Sequence, residues 1–129
     1  MSRVRGMMLA ALLAVPAHAE GAAQQITCTP AATCDAEGAC EPGGRETAFT
    51  LIPRDVNEFG AGAYRLGRGG AEVDAVMRPD MSLIWSEGEG DLQMLTLLDD
   101  ARAIWVRRSV RGTGGPPATV TFVTCGEAS

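Results

Sequence analysis

Hydrophobic and polar residues alternate along most of the chain after residue 25, in short runs separated by turn residues. In AEVDAVM (71–77), the small and apolar side chains share one face, while Glu72 and Asp74 share the other. A period of two, bounded by turn residues every eight to twelve positions, is typical of half-buried β-strands. The predicted strands are residues 26–29, 47–52, 60–67, 71–77, 81–86, 91–98, 101–110 and 118–125.

This pattern predicts an all-β fold, a small antiparallel meander of seven to eight strands. It would close either as a barrel or as a two-sheet sandwich. Residues 92–108 leave one alternative open, because they contain no glycine or proline and their apolar positions also fit a helix. Asp99 and Asp100 lie in the middle of this stretch and favour a turn between two strands.

The N-terminal residues have the order of a secretory signal peptide. Arg3 and Arg5 precede an apolar run at 7–15, and a small-x-small motif follows it. The run is less than half of the about 20 apolar residues that a membrane-spanning helix needs. We therefore expect cleavage after Ala19, a single domain at 20–129 without a membrane anchor, and a periplasmic or secreted location.

Composition narrows the function once the signal peptide is removed. The only histidine, His18, is lost, and the chain has no lysine at all. The remaining chain has nine arginines and 16 acidic residues. Its formal charge of −7 disfavours nucleic-acid binding. Catalysis by a histidine-assisted nucleophile or by a lysine is excluded, and no phosphate-binding glycine motif is present. We expect a protein that is not an enzyme and carries no cofactor.

Clustered acidic residues offer the remaining enzymatic hypothesis. Glu87, Glu89 and Asp91, or Asp99 with Asp100, would provide a carboxylate pair for glycoside hydrolysis or oxygen ligands for Ca²⁺. The first three alternate with glycine at a predicted turn, where solvated acids are common. We interpret them as solvated turn residues.

Three methionines offer a second alternative, a copper site. The thioethers of Met77, Met81 and Met94 are soft ligands suited to Cu(I). Each methionine also fits an inward position of a predicted strand, where its flexible side chain fills gaps. We therefore interpret them as core residues and predict no metal.

The four cysteines are predicted to form two disulfides. Cys28, Cys34 and Cys40 are separated by five residues each, and Cys125 lies near the end of the chain. Zinc sites prefer closer cysteine pairs, and a redox C-x-x-C motif is absent. Three pairings exist; the turn-forming DAEGA between Cys34 and Cys40 favours that pair, which leaves Cys28–Cys125.

The segment IWVRRSVRG (104–112) is the candidate interface. On a strand, Trp105, Arg107 and Arg111 share one face, and tryptophan with arginine is typical of interface anchors. In the alternative, Trp105 is buried and the arginines pair with the domain's own acids. The prediction is a non-catalytic binding or protein-interaction module whose partner is an unknown protein or a small ligand.

Two segments resemble a known family. GAGAY (60–64) and WSEGEGDLQML (85–95) look like the paired segments of the periplasmic inhibitors of c-type lysozyme. The resemblance implies a small exported antiparallel barrel with a disulfide, and inhibition of a lysozyme-like hydrolase as an alternative function. In that family a serine from the first segment and a lysine from the second enter the lysozyme cleft. Here Glu87 lies nearest the lysine position, and residues 60–64 contain no serine.

A third function class is a carrier. An eight-stranded barrel can hold a small apolar ligand if its interior is hollow. The chain has six aromatic residues and many small ones, so its interior would be either hollow or narrow.

Intact mass of the protein exported by its own host tests the compartment and the cysteine chemistry together. We expect the mass of residues 20–129 less the hydrogens of two disulfides. An unprocessed chain with four free thiols would contradict both predictions.

Overall fold

The computed structural model describes residues 22–88, 90–109 and 117–127, whose regular structure is entirely β-strand. Strands form along the alternating runs because an extended chain places successive side chains on opposite faces. The strands are β1 (Gln24–Asp35), β2 (Cys40–Pro42), β3 (Thr47–Val56), β4 (Gly62–Arg68), β5 (Ala71–Met77), β6 (Ser82–Trp85), β7 (Asp91–Leu97), β8 (Arg102–Ser109) and β9 (Ala118–Glu127).

Eight of these strands form a closed antiparallel barrel in the order β1, β3, β4, β5, β6, β7, β8 and β9. From β3 onward each strand pairs with the next along the chain, and the pairing of β1 with β9 closes the circle. Closure gives both outer strands of the meander a hydrogen-bonding partner. The expected all-β barrel is confirmed, and the two-sheet sandwich is not formed.

The long first strand has three neighbours. Residues 24–28 pair with β3, residues 32–34 pair with β2, and the other edge pairs with β9 along most of the strand. The register with β9 shifts between Pro30 and Ala32, where proline has no N–H to donate. β2 is therefore an extra strand that folds back on β1 outside the barrel circle.

Residues 91–109 form a hairpin rather than a helix. Seven residue pairs join β7 to β8, from Asp91 opposite Ser109 to Leu97 opposite Ala103. The helical alternative is wrong. A helix at 92–108 would remove β7 and β8, and β6 and β9 would then lack the strands that they pair with in the closed barrel. Within the described residues, no helix is long and apolar enough to cross a membrane.

Inward-facing side chains fill the middle of the barrel. The ring of Phe49 meets the rings of Trp85 and Trp105 nearly at right angles, with centroids 5.8 and 5.3 Å away. Such edge-to-face contacts stabilise aromatic pairs beyond their buried area. The buried apolar residues are Cys28, Phe49, Leu51, Leu66, Ala75, Leu83, Trp85, Leu95, Ala103, Trp105, Val123 and Cys125.

Both predicted disulfides are present. Cys28 and Cys125 lie directly opposite each other across β1 and β9, so this buried bond joins the two strands that close the barrel. Cys34 and Cys40 lie opposite each other across β1 and β2, and this bond is near the surface. Such pairing is compatible with an oxidising compartment.

We expect the two bonds to differ in their effect on stability. Replacing Cys28 and Cys125 with alanine should cost about 4.7 kcal/mol, because the bond closes a loop of 97 residues. Replacing Cys34 and Cys40, which are six residues apart, should cost about 2.4 kcal/mol. Urea unfolding of the two double variants measures the difference; equal losses would contradict the assignment of the buried bond as the main closure.

Candidate functional site

The hairpin turns alternate between the two ends of the barrel. Turns that follow β4 and β6 lie at one end, together with the end of β8, and we call this end the network end. Turns that follow β3, β5 and β7 lie at the opposite end, which we call the tip end. The two ends differ in chemistry and are described in turn.

A buried glutamine organises the network end. The side-chain amide of Gln93 donates hydrogen bonds to Glu87 (2.8 Å) and Asp91 (2.9 Å), and its carbonyl accepts one from the indole of Trp105 (2.9 Å). The indole of Trp85 donates to Glu87 at 3.3 Å. Every buried side-chain nitrogen and oxygen among the described residues has a partner. The network is therefore satisfied internally.

Glu87 is the charged centre of this network. Its burial favours the neutral acid, but hydrogen bonds from Arg68 and Gln93 and the charge of Arg68 outweigh that effect and lower the pKa of Glu87. A general acid needs the opposite shift. The interpretation of Glu87 as a solvated turn residue is wrong, since its side chain is only 24% exposed.

Trp105 lies inside the barrel, so it is not the exposed anchor that the sequence suggested. Trp105 is only 4% exposed, which agrees with the alternative interpretation that it is buried. The guanidinium carbons of Arg68 and Arg107 lie 5.2 and 4.9 Å from the centroid of its ring, which is cation–π distance. Arg107 itself is exposed, and Arg111 lies outside the described residues.

The methionines of the copper hypothesis do not come together. Met77 packs against the core from inside the barrel, whereas Met94 lies between the buried Gln93 and Leu95 and so faces outward. Met81 lies in the turn after β5. Within the described ranges, no three histidine, cysteine or acidic residues are grouped to hold a metal ion; Glu89 lies outside those ranges.

Apolar side chains protrude from all three turns of the tip end. Phe59 follows β3 and is 80% exposed, Met81 follows β5 and is 42% exposed, and Leu98 follows β7 and is 55% exposed. The backbone N–H of Leu97, the last residue of β7, donates to the carbonyl of Met81 at 3.1 Å, so the turn after β5 is bonded to the strand that leads into Leu98. Large apolar residues gathered on turns mark a contact surface.

Each of these apolar tips has an acidic neighbour in the chain: Glu58, Asp80 or Asp99. Asp99 accepts hydrogen bonds from the backbone N–H of Arg102 and of Ala101 and from the Arg102 side chain, which together lower its pKa to about 2. Its carboxylate therefore stays ionised at any neutral or mildly acidic pH. Asp99 is ion-paired with Arg102 (2.6 Å) and Asp80 with Arg78 (3.6 Å), so the net negative charge of the tip end comes from Glu58 and Asp100.

Met81 occupies a backbone conformation that suits glycine. In three hairpin turns, the fourth residue donates its N–H to the first: Gly38 to Asp35, Gly60 to Asn57, and Met81 to Arg78. All three donors have positive φ, which is 66° for Met81 and costs a side chain about 1–2 kcal/mol. A strained, exposed methionine in a glycine position is typical of a functional residue.

A pocket of about 560 Å³ opens at the tip end beside the start of β1. Gln24, Val56 and Tyr64 are among its lining residues. Burial raises the pKa of Tyr64, whose hydroxyl donates to the carbonyl of Gly60 at 2.6 Å. The tyrosine thereby ties its own strand to the turn that carries Phe59.

Sequence reasoning named Glu87, Asp91 and Trp105 but missed Gln93, which joins them, and it missed the tip end. Gln93 is a polar residue at an inward position of the alternating run DLQMLTL, which is the pattern of a buried polar group. Phe59 stands among turn residues outside the predicted strands, and Leu98 ends the predicted run 91–98 directly before Asp99 and Asp100. Their shared location needed the order of the turns around the barrel.

Comparison of the chain with protein-family models, with curated proteins and with solved structures found no match.

The ionised state of Glu87 should be visible in stability against pH. Because its pKa is lowered on folding, Glu87 stabilises the fold above its ordinary pKa, and this contribution is lost as pH falls through the lowered value. We expect Glu87→Gln to lower the free energy of unfolding by about 2 kcal/mol at pH 7, and the gap from wild type to shrink as pH falls below the ordinary pKa of glutamate.

Tryptophan fluorescence is a direct measurement, because Trp85 and Trp105 are the chain's two tryptophans and both contact the network. Asp74→Asn is the control, since its ion pair with Arg65 lies at the surface and should contribute under about 1 kcal/mol. A gap for Glu87→Gln that does not depend on pH would contradict the prediction.

Proposed function

We propose that this chain is an exported, non-catalytic interaction module that binds a protein through its tip end. The observation that carries the proposal is the set of three exposed apolar side chains, Phe59, Met81 and Leu98, on three turns at one end. The partner is a protein surface with apolar clefts and a basic rim.

Charge supports a basic partner rather than an anionic one. Asp80 and Asp99 are ion-paired with Arg78 and Arg102, but Glu58 and Asp100 give the three turns a net negative charge. The whole chain carries a formal charge of −5, so it attracts basic surfaces over distance and repels anionic ones. Apolar tips would supply affinity, and the acids would supply orientation and rate of association.

Export and the absence of catalysis are part of the same proposal. Two disulfides favour an oxidising compartment, consistent with a signal peptide at 1–19. The predicted mature chain lacks histidine and lysine. Glu87, a partly buried acid of the network end, is held ionised by Arg68 and Gln93 rather than poised to release a proton.

Inhibition of a lysozyme-like hydrolase remains an alternative proposal on the resemblance alone. The turn next to GAGAY (60–64) follows β3 and lies at the tip end, whereas the turn after Trp85 follows β6 and lies at the network end. One cleft cannot receive both turns. Only the first segment is therefore placed to act, and an inhibition assay with c-type lysozyme tests it directly.

The carrier proposal receives less support from the packing. Phe49, Trp85 and Trp105 occupy the middle of the barrel, where a hollow interior would hold a ligand. A small ligand would have to bind at an end, such as the pocket of about 560 Å³ beside Tyr64.

Retention of a partner from the native exported fraction on immobilised protein tests the proposal. We expect a saturable partner on the wild type, released as salt rises, and lost when Phe59, Met81 and Leu98 are all replaced by serine. The matched control, Ile52→Ser, changes a partly exposed apolar residue of β3 outside the tip end and should retain the partner. Loss in the control with retention by the tip variant would overturn the proposal.

Met81→Gly separates binding from folding. Glycine relieves the positive φ of residue 81, so we expect stability to rise by about 0.5–1 kcal/mol. The same change removes an apolar tip and should weaken binding of the retained partner several-fold. Unaltered binding by this stabilised variant would show that Met81 does not contact the partner.

A further inference from the structure

We propose that the protein forms a homodimer through an apolar face on the outside of the barrel. This inference goes beyond the proposed function and concerns a different surface, since it uses outward-facing strand residues rather than turns. The face, which we call the apolar wall, consists of Val76, Ile84, Leu92, Met94, Ile104, Val106, Val120 and Phe122.

The strand register places most of these residues side by side. Val76 lies opposite Ile84, Ile84 opposite Met94, Met94 opposite Val106, and Val106 opposite Val120. One uninterrupted apolar row therefore crosses five strands from β5 to β9. A second row places Ile104 opposite Phe122.

These side chains face away from the core. The residues beside them in the chain, Leu83, Trp85, Gln93, Leu95, Ala103, Trp105 and Val123, are buried inside. Because successive side chains of a strand alternate, the wall residues lie on the outer surface. Val76, Leu92 and Phe122 are each about half exposed, and the others are partly buried.

Charge divides the outside of the barrel into two halves. On β4 and β5, Arg65 forms ion pairs with Glu72 and Asp74. The other strands differ: residues 82–84 of β6, 92–96 of β7 and 118–126 of β9 include no charged residue. Within the described residues, β8 places charges outward only at its two ends, as Arg102 and Arg108.

This division argues for a second copy as the occupant. Two copies of a chain with formal charge −5 repel each other through most of their surfaces. The apolar wall is the face where they meet without acids, and apolar surface is complementary to itself. A twofold contact needs only such a self-complementary patch.

The size of the wall sets the expected strength. Five strands at about 4.8 Å spacing and about six residues of rise give a footprint of about 400 Å². The largest apolar patch on a typical monomer covers about 300–600 Å², and a standard interface buries about 800 Å² per partner, so the wall supplies about half of a standard contact. The wall forms the apolar centre of a modest interface, so we expect a micromolar dissociation constant.

Sedimentation velocity on the mature, disulfide-bonded protein from about 1 to 200 µM tests the proposal over the range that a micromolar constant requires. We expect the weight-average mass to rise from one copy to two. Leu92→Glu with Phe122→Glu should weaken association at least tenfold. The matched control, Ile52→Glu, changes a partly exposed residue of β3 on the other side of the barrel and should dimerise like wild type.

A second measurement does not depend on how well the glutamate variants fold. The described chain has no free cysteine, so Met94→Cys provides a single reactive thiol at the centre of the wall. A short bis-maleimide should cross-link it to a dimer, whereas Arg65→Cys on the charged half should stay monomeric. Monomeric mass at about 200 µM, or equal cross-linking at both positions, would overturn the proposal.

Discussion

The pairing of β1 with β9 is the contact on which the rest of the molecule depends. From β3 to β8 each neighbouring pair is joined by a short turn, but β1 and β9 meet only after the chain has gone round the circle. Nine residue pairs and the buried Cys28–Cys125 bond hold this contact. Contacts between residues so far apart carry a high entropic cost, which the covalent bond offsets.

Closure determines what the interior can contain. A barrel of eight strands has room for side chains alone, or for one small ligand if those side chains are small. Here the aromatic rings of Phe49, Trp85 and Trp105 fill the middle. The indole N–H groups of the two tryptophans need hydrogen-bond acceptors. Glu87 accepts from Trp85, and Gln93 accepts from Trp105, at the network end. The network end is thus a consequence of packing two tryptophans in a narrow barrel.

The same closure separates the surfaces by chemistry. The network end contains the internally hydrogen-bonded side chains around Gln93. The turns of the tip end expose Phe59, Met81 and Leu98. The side wall is charged on β4 and β5 and apolar on β6 to β9. A dimer formed through the wall would leave both tip ends free, so it would present two copies of the proposed binding surface. Binding to a partner with repeated sites would then gain from effective concentration.

Local rules explain how much the sequence by itself determined. Alternation along residues 71–77 and 118–125 identified strands because side-chain direction in a strand depends only on neighbouring residues. The turn chemistry between Cys34 and Cys40 identified their bond, and with it the long bond from Cys28 to Cys125. An all-β barrel followed from these strands, although the sandwich and a helix at 92–108 remained open.

Tertiary structure alone decided which face of each strand became the interior and which turns share an end. Trp105 and Arg107 have the same parity, so the sequence could place them together but not say that their face was the inside. Closure decided it, burying Trp105 among the other rings. Phe59 and Leu98 are 39 residues apart in the chain, and only the order of strands brings their turns to one end. Those decisions depend on pairing between distant residues, which alternation within a short window does not contain.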